Sequence, residues 1–593
     1  MIPLKEDDTY AVLSDTGMAE KNEEGFFRHD TRFASRYAWR FPGYQLLMSA
    51  SSRPDVLVQH WGLVRGPSQV LAVRRKLVLC RGGFDDELIV ENTDLKEQST
   101  LISLDVEADF SDLFEVRRWY KPKSQGASFS YRAEDGLESH LVLTTEPPSA
   151  NRTWRISLKP KETSIIRVQA RLESPLAYNH LPLLSYADWR NQFDILLPNP
   201  KHQAVLERAI SDLRALLFST DSGYFPAAGI PWYVTAFGRD SLLTALMTLP
   251  WAKDMARNVL RFLARHQGKE TNPFHEEEPG KILHEMRLGE LSRTKKAPFT
   301  KYFGTVDATP LFLMLLREYW KTTGDFSLVM ELKGNWQAAI QWILRYTDSD
   351  GLLSFSPSGS GLTVQSWKDS GDSMSRSDGS LGEPPIQVSE VQGYVYAALK
   401  AAAEFYKEMG NPGYAAELEQ KALRLKQVFH QKFWLDDLQT YAIALDAAGP
   451  LKVQSSDPGQ LLWTGIVPKE TAPLLVKTLF SQELWSGWGL RTLGSREVRY
   501  NPLSYHNGSV WPHDTILFAA GLVRYSFHAE AQKVIDALFD LAASQADLRL
   551  PELVGGYARE EMVPPVPYPA ACRPQAWDSG AVILMARLLQ QIP

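Results

Sequence analysis

The chain has 593 residues, 44% of them hydrophobic and 23% charged, with a formal net charge of −6. That balance describes a globular chain of two or three domains, long enough to bury a large core. Both signs of charge are spread along the sequence, so the basic stripe that marks a nucleic-acid binder is missing.

Up to about residue 190 the chain is written in short alternating segments. Val70–Cys80, Glu87–Val90, Thr100–Val106, His140–Thr144, Thr153–Leu158 and Ser164–Leu172 are rich in β-branched residues and are separated by Pro, Gly, Asn and Asp. Period-two alternation between turn clusters predicts an antiparallel β-sandwich, assigned here to residues 1–190. Residues 191–593 then follow helical spacing. His202–Phe218 lines up Val205, Leu206, Ile210, Leu213 and Leu217 on one stripe. Further helices are expected near 239–248, 252–267, 307–321, 327–346, 388–409, 413–434, 468–480, 507–524, 527–543 and 574–591, with a short one near 457–466. Helix pairs recurring every ~50–60 residues imply hairpins that stack as a solenoid or close into a ring. The class is therefore α+β. Two connections, 268–306 and 349–387, exceed the ~12–15 residues of ordinary loops and carry Trp, Asp, Arg and Glu, which points to function.

The two cysteines, Cys80 and Cys572, lie far apart, which excludes a disulfide framework and fits a reduced compartment. The start, MIPLKEDDTY, has no basic region followed by an apolar run, so no secretory signal is read there. No stretch approaches the ~20 apolar residues of a membrane span. A cytoplasmic location without a membrane partner is expected. The twelve histidines form no H-E-x-x-H pattern and no Cys/His cluster, so neither a metal nor another cofactor is expected.

Seventeen tryptophans supply flat apolar faces of the kind that stack on pyranose rings, although a large helical core uses them too. Cleaving a glycosidic bond needs a proton for the leaving oxygen and a nucleophile or base-activated water on the opposite face, roles that two carboxylates fill. In VQSWKDSGDSM (364–374), Asp369 follows Trp367 by two residues, close enough for an aromatic to raise its pKa. Asp372 competes for that role, and both Asp residues are also compatible with plain turn hydrogen bonds. In RLPELVGGY (549–557), Glu552 is held between Pro551 and two glycines; a surface glutamate is the bland alternative. Arg239 and Asp240 end AGIPWYVTAFGRDS at a helix start, where an Asp orients hydroxyls or caps the helix. NPLSYHNGSVWPHD (501–514) gathers Tyr505, His506, Asn507, Trp511, His513 and Asp514 at another helix start. WSGWGL (485–490) with Trp488, HEMRLGE (284–290) and YFGTVDAT (302–309) with Asp307 complete the set. Their recurrence at the same end of successive hairpins favours one shared pocket.

Read in order, GRDS (238–241), YFGTVDAT, SWKD (366–369), HNGSVWPHD (506–514) and LPEL (550–553) make the helical half resemble the glucosidase domain of glycogen debranching enzymes. It is more distantly similar to the glucoamylase and trehalase group. EGFFRHDTRFASRY (24–37) and ENTD (91–94) resemble the β-domain that precedes this module in bacterial relatives. The resemblance implies an (α/α)6 barrel and an inverting mechanism, with Asp369 as general acid, Glu552 as general base and Asp240 binding the terminal sugar. Trp232, Trp367, Trp488 and Trp511 are assigned as stacking walls. Nothing in the chain matches the transferase barrel of eukaryotic debranching enzymes. The leading expectation is an exo-acting α-glucosidase on glucan branches or small glucosides. Alternatives are the same fold acting on a rhamnoside or β-glucoside, a glycoside phosphorylase, or a non-catalytic glycan-binding protein. The partner is thus an oligosaccharide or glycoside, and the sequence leaves the oligomeric state open.

Overall fold

The computed structural model describes residues 1–21, 23–121, 128–176 and 181–593. The first part is built from antiparallel sheets. A seven-stranded sheet runs in the order Ser130–Arg132, Glu138–Glu146, Thr163–Glu173, Gly83–Asn92, Ser68–Cys80, Val56–Arg65, Tyr44–Arg53. A three-stranded sheet centred on Gln98–Glu107 and a five-stranded sheet that begins with Ile2–Glu6 complete it. The three sheets share one apolar core: Leu71, Val73, Leu88, Val90, Val168 and Ala170 meet Trp39, Ile102, Leu104 and Trp154. Alternation explains the facing, since every second residue of Thr163–Glu173 from Ile166 onward is buried. One charge cluster sits inside this core. Asp86 and Arg75, both fully buried, pair at 2.9 Å, and the Tyr37 hydroxyl and Trp39 indole N–H donate to the same carboxylate at 3.0 and 2.8 Å. Its hydrogen bonds offset the cost of burying the ions.

Five of the six expected strand segments lie inside longer strands, and Thr153–Leu158 coincides with one. No expectation covers the strands Ile2–Glu6, Thr9–Leu13, Gly25–Arg28, Thr31–Ala34, Arg36–Arg40, Tyr44–Arg53 and Val56–Arg65. Several of these are buried on both faces (Thr9–Leu13 throughout), so alternation is lost.

The rest is mainly helical: α1 (Pro200–Leu216), α2 (Gly238–Thr248), α3 (Lys253–Arg265), α4 (Ala308–Thr323), α5 (Lys333–Tyr346), α6 (Ser389–Glu408), α7 (Pro412–Phe433), α8 (Asp457–Thr464), α9 (Ala472–Leu479), α10 (Pro512–Arg524), α11 (His528–Ala543) and α12 (Ala576–Leu589). Helix α2 packs on α4, α4 on α6, α6 on α8, α8 on α10, α10 on α12, and α12 returns to α2. The odd-numbered helices pack outside this closed ring: α3 against α2 and α4, α5 against α4 and α6, α7 against α6, α11 against α10 and α12, and α1 against α12.

The sequence dictates the two layers. All eleven residues of α2 are buried, as an inner helix demands. Outer α7 buries only Ala415, Leu418, Ala422, Leu425, Phe429 and Phe433, a single stripe at three- and four-residue spacing. Helix α4 stops at Gly324, whose φ of +72° needs no Cβ.

Three boundaries differ from expectation. The 327–346 segment breaks into Ser327–Glu331 and α5. The expected helix at 507 starts only at Pro512, because residues 507 and 508 lie in a turn and Val510 bridges Arg491 and Val554; proline then fits the first turn. The end of the first helical pattern, Leu217 and Phe218, belongs to a small antiparallel sheet of Leu217–Thr220, Gly223–Gly229, Tyr233–Phe237 and Glu285–Met286. Among the described residues no helix is long and apolar enough to cross a membrane.

Candidate active site

The inner helices are aligned, so their N-terminal ends gather at one mouth of the ring. Arg239 and Asp240 lie in the first turn of α2, Trp511 caps α10, and Trp577 is in the first turn of α12. They surround a cavity of about 320 Å³, which Asp369, Glu552, Trp232, Trp367 and His506 also line. The volume suits a small ligand. A second cavity of about 310 Å³ opens at the other end, among the last turns of the same helices. Its Glu404 is held by Arg317 and Lys321 at 2.8 and 3.0 Å, and no pair of buried carboxylates faces across it. The buried carboxyls Asp240 and Glu552, with Asp369, gather instead at the N-terminal mouth.

Asp369 sits in the long connection before α6, with its side chain 25% exposed to the cavity. Arg239 Nη2 donates to its Oδ2 at 3.0 Å, while Nη1 of the same guanidinium holds Asp307 at 2.7 Å and the Ser366 carbonyl at 3.0 Å. Burial lifts the Asp369 carboxyl to about 6 despite the Arg239 charge, which pulls it down. Beneath it, Lys368 is fully buried and donates to Asp457 at 2.5 Å and to the Thr492 carbonyl at 2.7 Å. Asp457 also accepts the Trp367 indole N–H at 3.1 Å. The SWKD motif thus points alternate side chains into the core and into the cavity. Ser370 hydrogen-bonds His506 Nδ1 at 2.6 Å, which fixes the following turn.

Glu552 is 1% exposed. Its Oε1 accepts the Tyr505 hydroxyl at 2.6 Å and its Oε2 accepts the Cys572 backbone N–H at 2.7 Å. Tyr505 is hydrogen-bonded in turn to Tyr233 at 3.3 Å. Burial pushes the Glu552 carboxyl up to about 7, against those two donors. Asp240 is raised to about 7 by the same cause, with Arg239 opposing. Burial thus raises Asp240, Asp369 and Glu552, three of the four carboxyls lining this cavity, to about 6 or 7, while the fourth, Glu285, is paired with Arg287.

Of the residues singled out from sequence, Trp232, Arg239, Asp240, Trp367, Asp369, His506, Trp511 and Glu552 line this cavity. Six others lie outside it. Asp307 is fully buried behind the wall as the counter-ion of Arg239. The Asp372 side chain is exposed, and its carbonyl accepts from Asn507 Nδ2 at 3.2 Å, so Asn507 braces the loop from behind. Trp488 is buried elsewhere, with the Arg559 guanidinium 4.4 Å from its ring. His513 stacks on Trp577 at 3.9 Å in the layer under the cavity floor. Asp514 accepts from Gln460 at 2.5 Å between α8 and α10. The reason is common to several of them: a helix start places some side chains in the mouth and turns their neighbours into the ring.

The cavity also takes residues that the sequence reading did not select. Tyr233, His284 and Arg287 came from segments already noted, yet nothing local distinguished them from neighbours; Tyr505, noted with the polar and aromatic residues of 501–514, lines the cavity too. Phe114, Arg117 and Trp119 come from the N-terminal half and reach the mouth only through packing between the halves. Asp30 ties the halves together: it accepts Arg287 Nη1 and the Leu288 N–H, each at 2.8 Å.

Residues 233–558, more than half of the chain, match the family model described as the mannosylglycerate hydrolase MGH1-like glycoside hydrolase domain. Residues 4–169 match the N-terminal domain of some glycogen debranching enzymes. No curated protein sequence matches the chain. Among solved structures, two glycosidase variants, each with one glutamate replaced by alanine and one of them in complex with glucose, align at 14% identity and TM-score 0.48, over 67% of this chain and all of theirs. An uncharacterized conserved protein from Thermus thermophilus aligns at 17% identity and TM-score 0.47, over 64% of this chain and 99% of its own. These likenesses are too loose to transfer a residue role.

Proposed function

The chain belongs to the MGH1-like glycoside hydrolases, and from that premise we propose an exo-acting, inverting α-glucosidase that removes terminal glucose from glucan branches or small glucosides. The carrying observation is that Asp369 and Glu552 face the same cavity, each lifted by burial into the neutral range. In this reading the closed helical ring is an (α/α)6 barrel, residues 1–190 form the β-domain, and residues 191–593 form the catalytic domain. The two free cysteines fit a cytoplasmic location.

In the proposed reaction the protonated Asp369 gives its proton to the glycosidic oxygen as the bond from C1 to that oxygen breaks. Glu552, ionised, takes a proton from a water whose oxygen bonds to C1 from the opposite face. The products are the free sugar, inverted at C1, and the alcohol of the leaving group. Asp369 ends ionised and Glu552 protonated, and exchange with solvent restores both. In this reading Asp240, in the first turn of α2, holds sugar hydroxyls, Arg239 beside it belongs to the same sugar site through its contact with Asp369, and Trp232 and Trp511 are walls. Tyr505 keeps the Glu552 carboxyl in one orientation through the 2.6 Å hydrogen bond.

Burial raises both carboxyls into the same range, Glu552 to about 7 and Asp369 to about 6, so proton affinity alone does not separate acid from base. The family resemblance assigns Asp369 as the acid, and Asp369 is the more exposed of the two to an entering substrate. A glycoside panel, including isomaltose, aryl α-glucosides, a rhamnoside, a β-glucoside and mannosylglycerate, tests the substrate. Proton NMR of the first-formed sugar tests the stereochemistry: β-glucose from an α-glucoside is expected, and first-formed α-glucose removes the inverting mechanism. Product release that depends on phosphate would replace hydrolysis by phosphorolysis.

A further inference from the structure

We propose that Arg117 and Trp119, contributed by the N-terminal half, form the subsite that holds the sugar ring of the leaving group; this rests on the glycosidase reading above. Both residues follow the short helix Leu113–Val116, whose start is fixed by a capping box between Asp112 and Glu115. The same Asp112 accepts the Leu291 N–H of the helical half at 3.1 Å, and Phe114 packs on Phe299 at 5.3 Å between centroids. The turn carrying Arg117 and Trp119 is thereby anchored to the wall of the cavity, and both side chains line it.

Their chemistry suits a pyranose ring. Trp119 is 58% exposed, whereas Trp232, Trp367, Trp511 and Trp577 around the same cavity are all buried. Trp119 stacks on Phe114 at 5.5 Å between centroids, yet remains largely exposed at the rim of the cavity, offering apolar ring surface on which a sugar's C–H side rests. The Arg117 guanidinium lies 3.7 Å from the centre of the Trp119 ring and 5.2 Å from that of Trp232, which orients the indole by cation–π contact. Arg239 and Arg287 line the cavity too, but carboxylates hold both. Arg117 has no carboxylate within ion-pair distance, and its Nη1 has no hydrogen-bond partner, among the described residues. A guanidinium held over a ring still has N–H donors to give to an acceptor such as a sugar hydroxyl.

The inferred substrate class is therefore a di- or oligosaccharide whose leaving group is itself a pyranose. The test compares isomaltose, which has a leaving sugar, with α-D-glucosyl fluoride, which has none. The full-length wild type, Trp119→Ala, Arg117→Ala and Arg117→Lys are assayed on both, with thermal melts to confirm folding. The expected result is that the ratio of kcat/KM for isomaltose to kcat/KM for the fluoride falls about tenfold in Trp119→Ala, a loss of one stacked ring. It falls less in Arg117→Lys than in Arg117→Ala. An unchanged ratio in Trp119→Ala overturns the subsite, and so does a parallel loss on both substrates, because a merely structural role moves both. A wild type that turns over neither substrate overturns the α-glucosidase reading and this subsite with it.

Discussion

Replacing Asp369 by Asn separates the acid from the base. The two side chains have the same shape, and the amide oxygen can accept the 3.0 Å hydrogen bond from Arg239 Nη2, while Asp307 still holds Arg239 at 2.7 Å. The fold is therefore expected to survive, and what is lost is the proton. Donation by a positioned side chain is worth about 10²–10⁴ in rate, or roughly 3–5 kcal/mol. On isomaltose, kcat/KM of the Asp369→Asn variant should fall by that factor. On α-D-glucosyl fluoride the leaving group departs as a stable anion, so the loss should stay within about tenfold. Glu552→Gln should instead lose about 10²–10⁴ on both substrates, since both require activated water. Steady-state kinetics on the two substrates decide the matter. If Glu552→Gln spares the fluoride and Asp369→Asn does not, the roles are exchanged; if Asp369→Asn keeps its isomaltose activity, Asp369 is neither acid nor base.

The pH profile follows from the same carboxyls. Activity needs Glu552 ionised, which rising pH supplies, and Asp369 protonated, which rising pH removes, so kcat/KM should be bell-shaped with its maximum between about 6 and about 7. An optimum near the ~4 of ordinary carboxyls would refute the effect of burial. The raised Glu552 value also bears on stability. A carboxyl lifted in the folded state contributes stability below its unfolded pKa and loses it as pH rises through the folded value of about 7. Relative to wild type, Glu552→Gln should therefore gain thermal stability between pH 5 and pH 8, on the order of 2–3 kcal/mol at most; a difference that shrinks over that range contradicts the assignment. Lys368→Met removes one member of a fully buried ion pair and leaves Asp457 charged without it. A cost of about 3–5 kcal/mol is expected in chemical denaturation, and a neutral result would show that Asp457 takes up a proton instead. Tyr505→Phe removes one donor to Glu552 and raises its pKa; because the higher of the two values is that of Glu552, the alkaline limb of the same profile should move to higher pH while the maximum falls.

The sequence by itself determined the two kinds of architecture and the order of the helices, because periodicity is local. A stripe such as Leu418, Leu425 and Phe429 on α7 can bury only one face, and the all-apolar stretch of α12 can only lie inside. Asp369 and Glu552 were singled out in their motifs and chosen through the family resemblance, and both line the cavity. Tertiary structure alone decided which polar residue at each helix start faces the cavity. Neighbours on a helix start point in different directions, so Trp511 lines the mouth while His513 packs beneath it on Trp577. Asp307 and Asp372 look alike in sequence as loop aspartates. One became a buried counter-ion and the other an exposed side chain through the position of Arg239, far away in the chain. Arg117 and Trp119 were illegible for the strongest reason: no pattern within Leu113–Trp119 records that the N-terminal sheets dock on the ring and carry that turn to the mouth of the cavity.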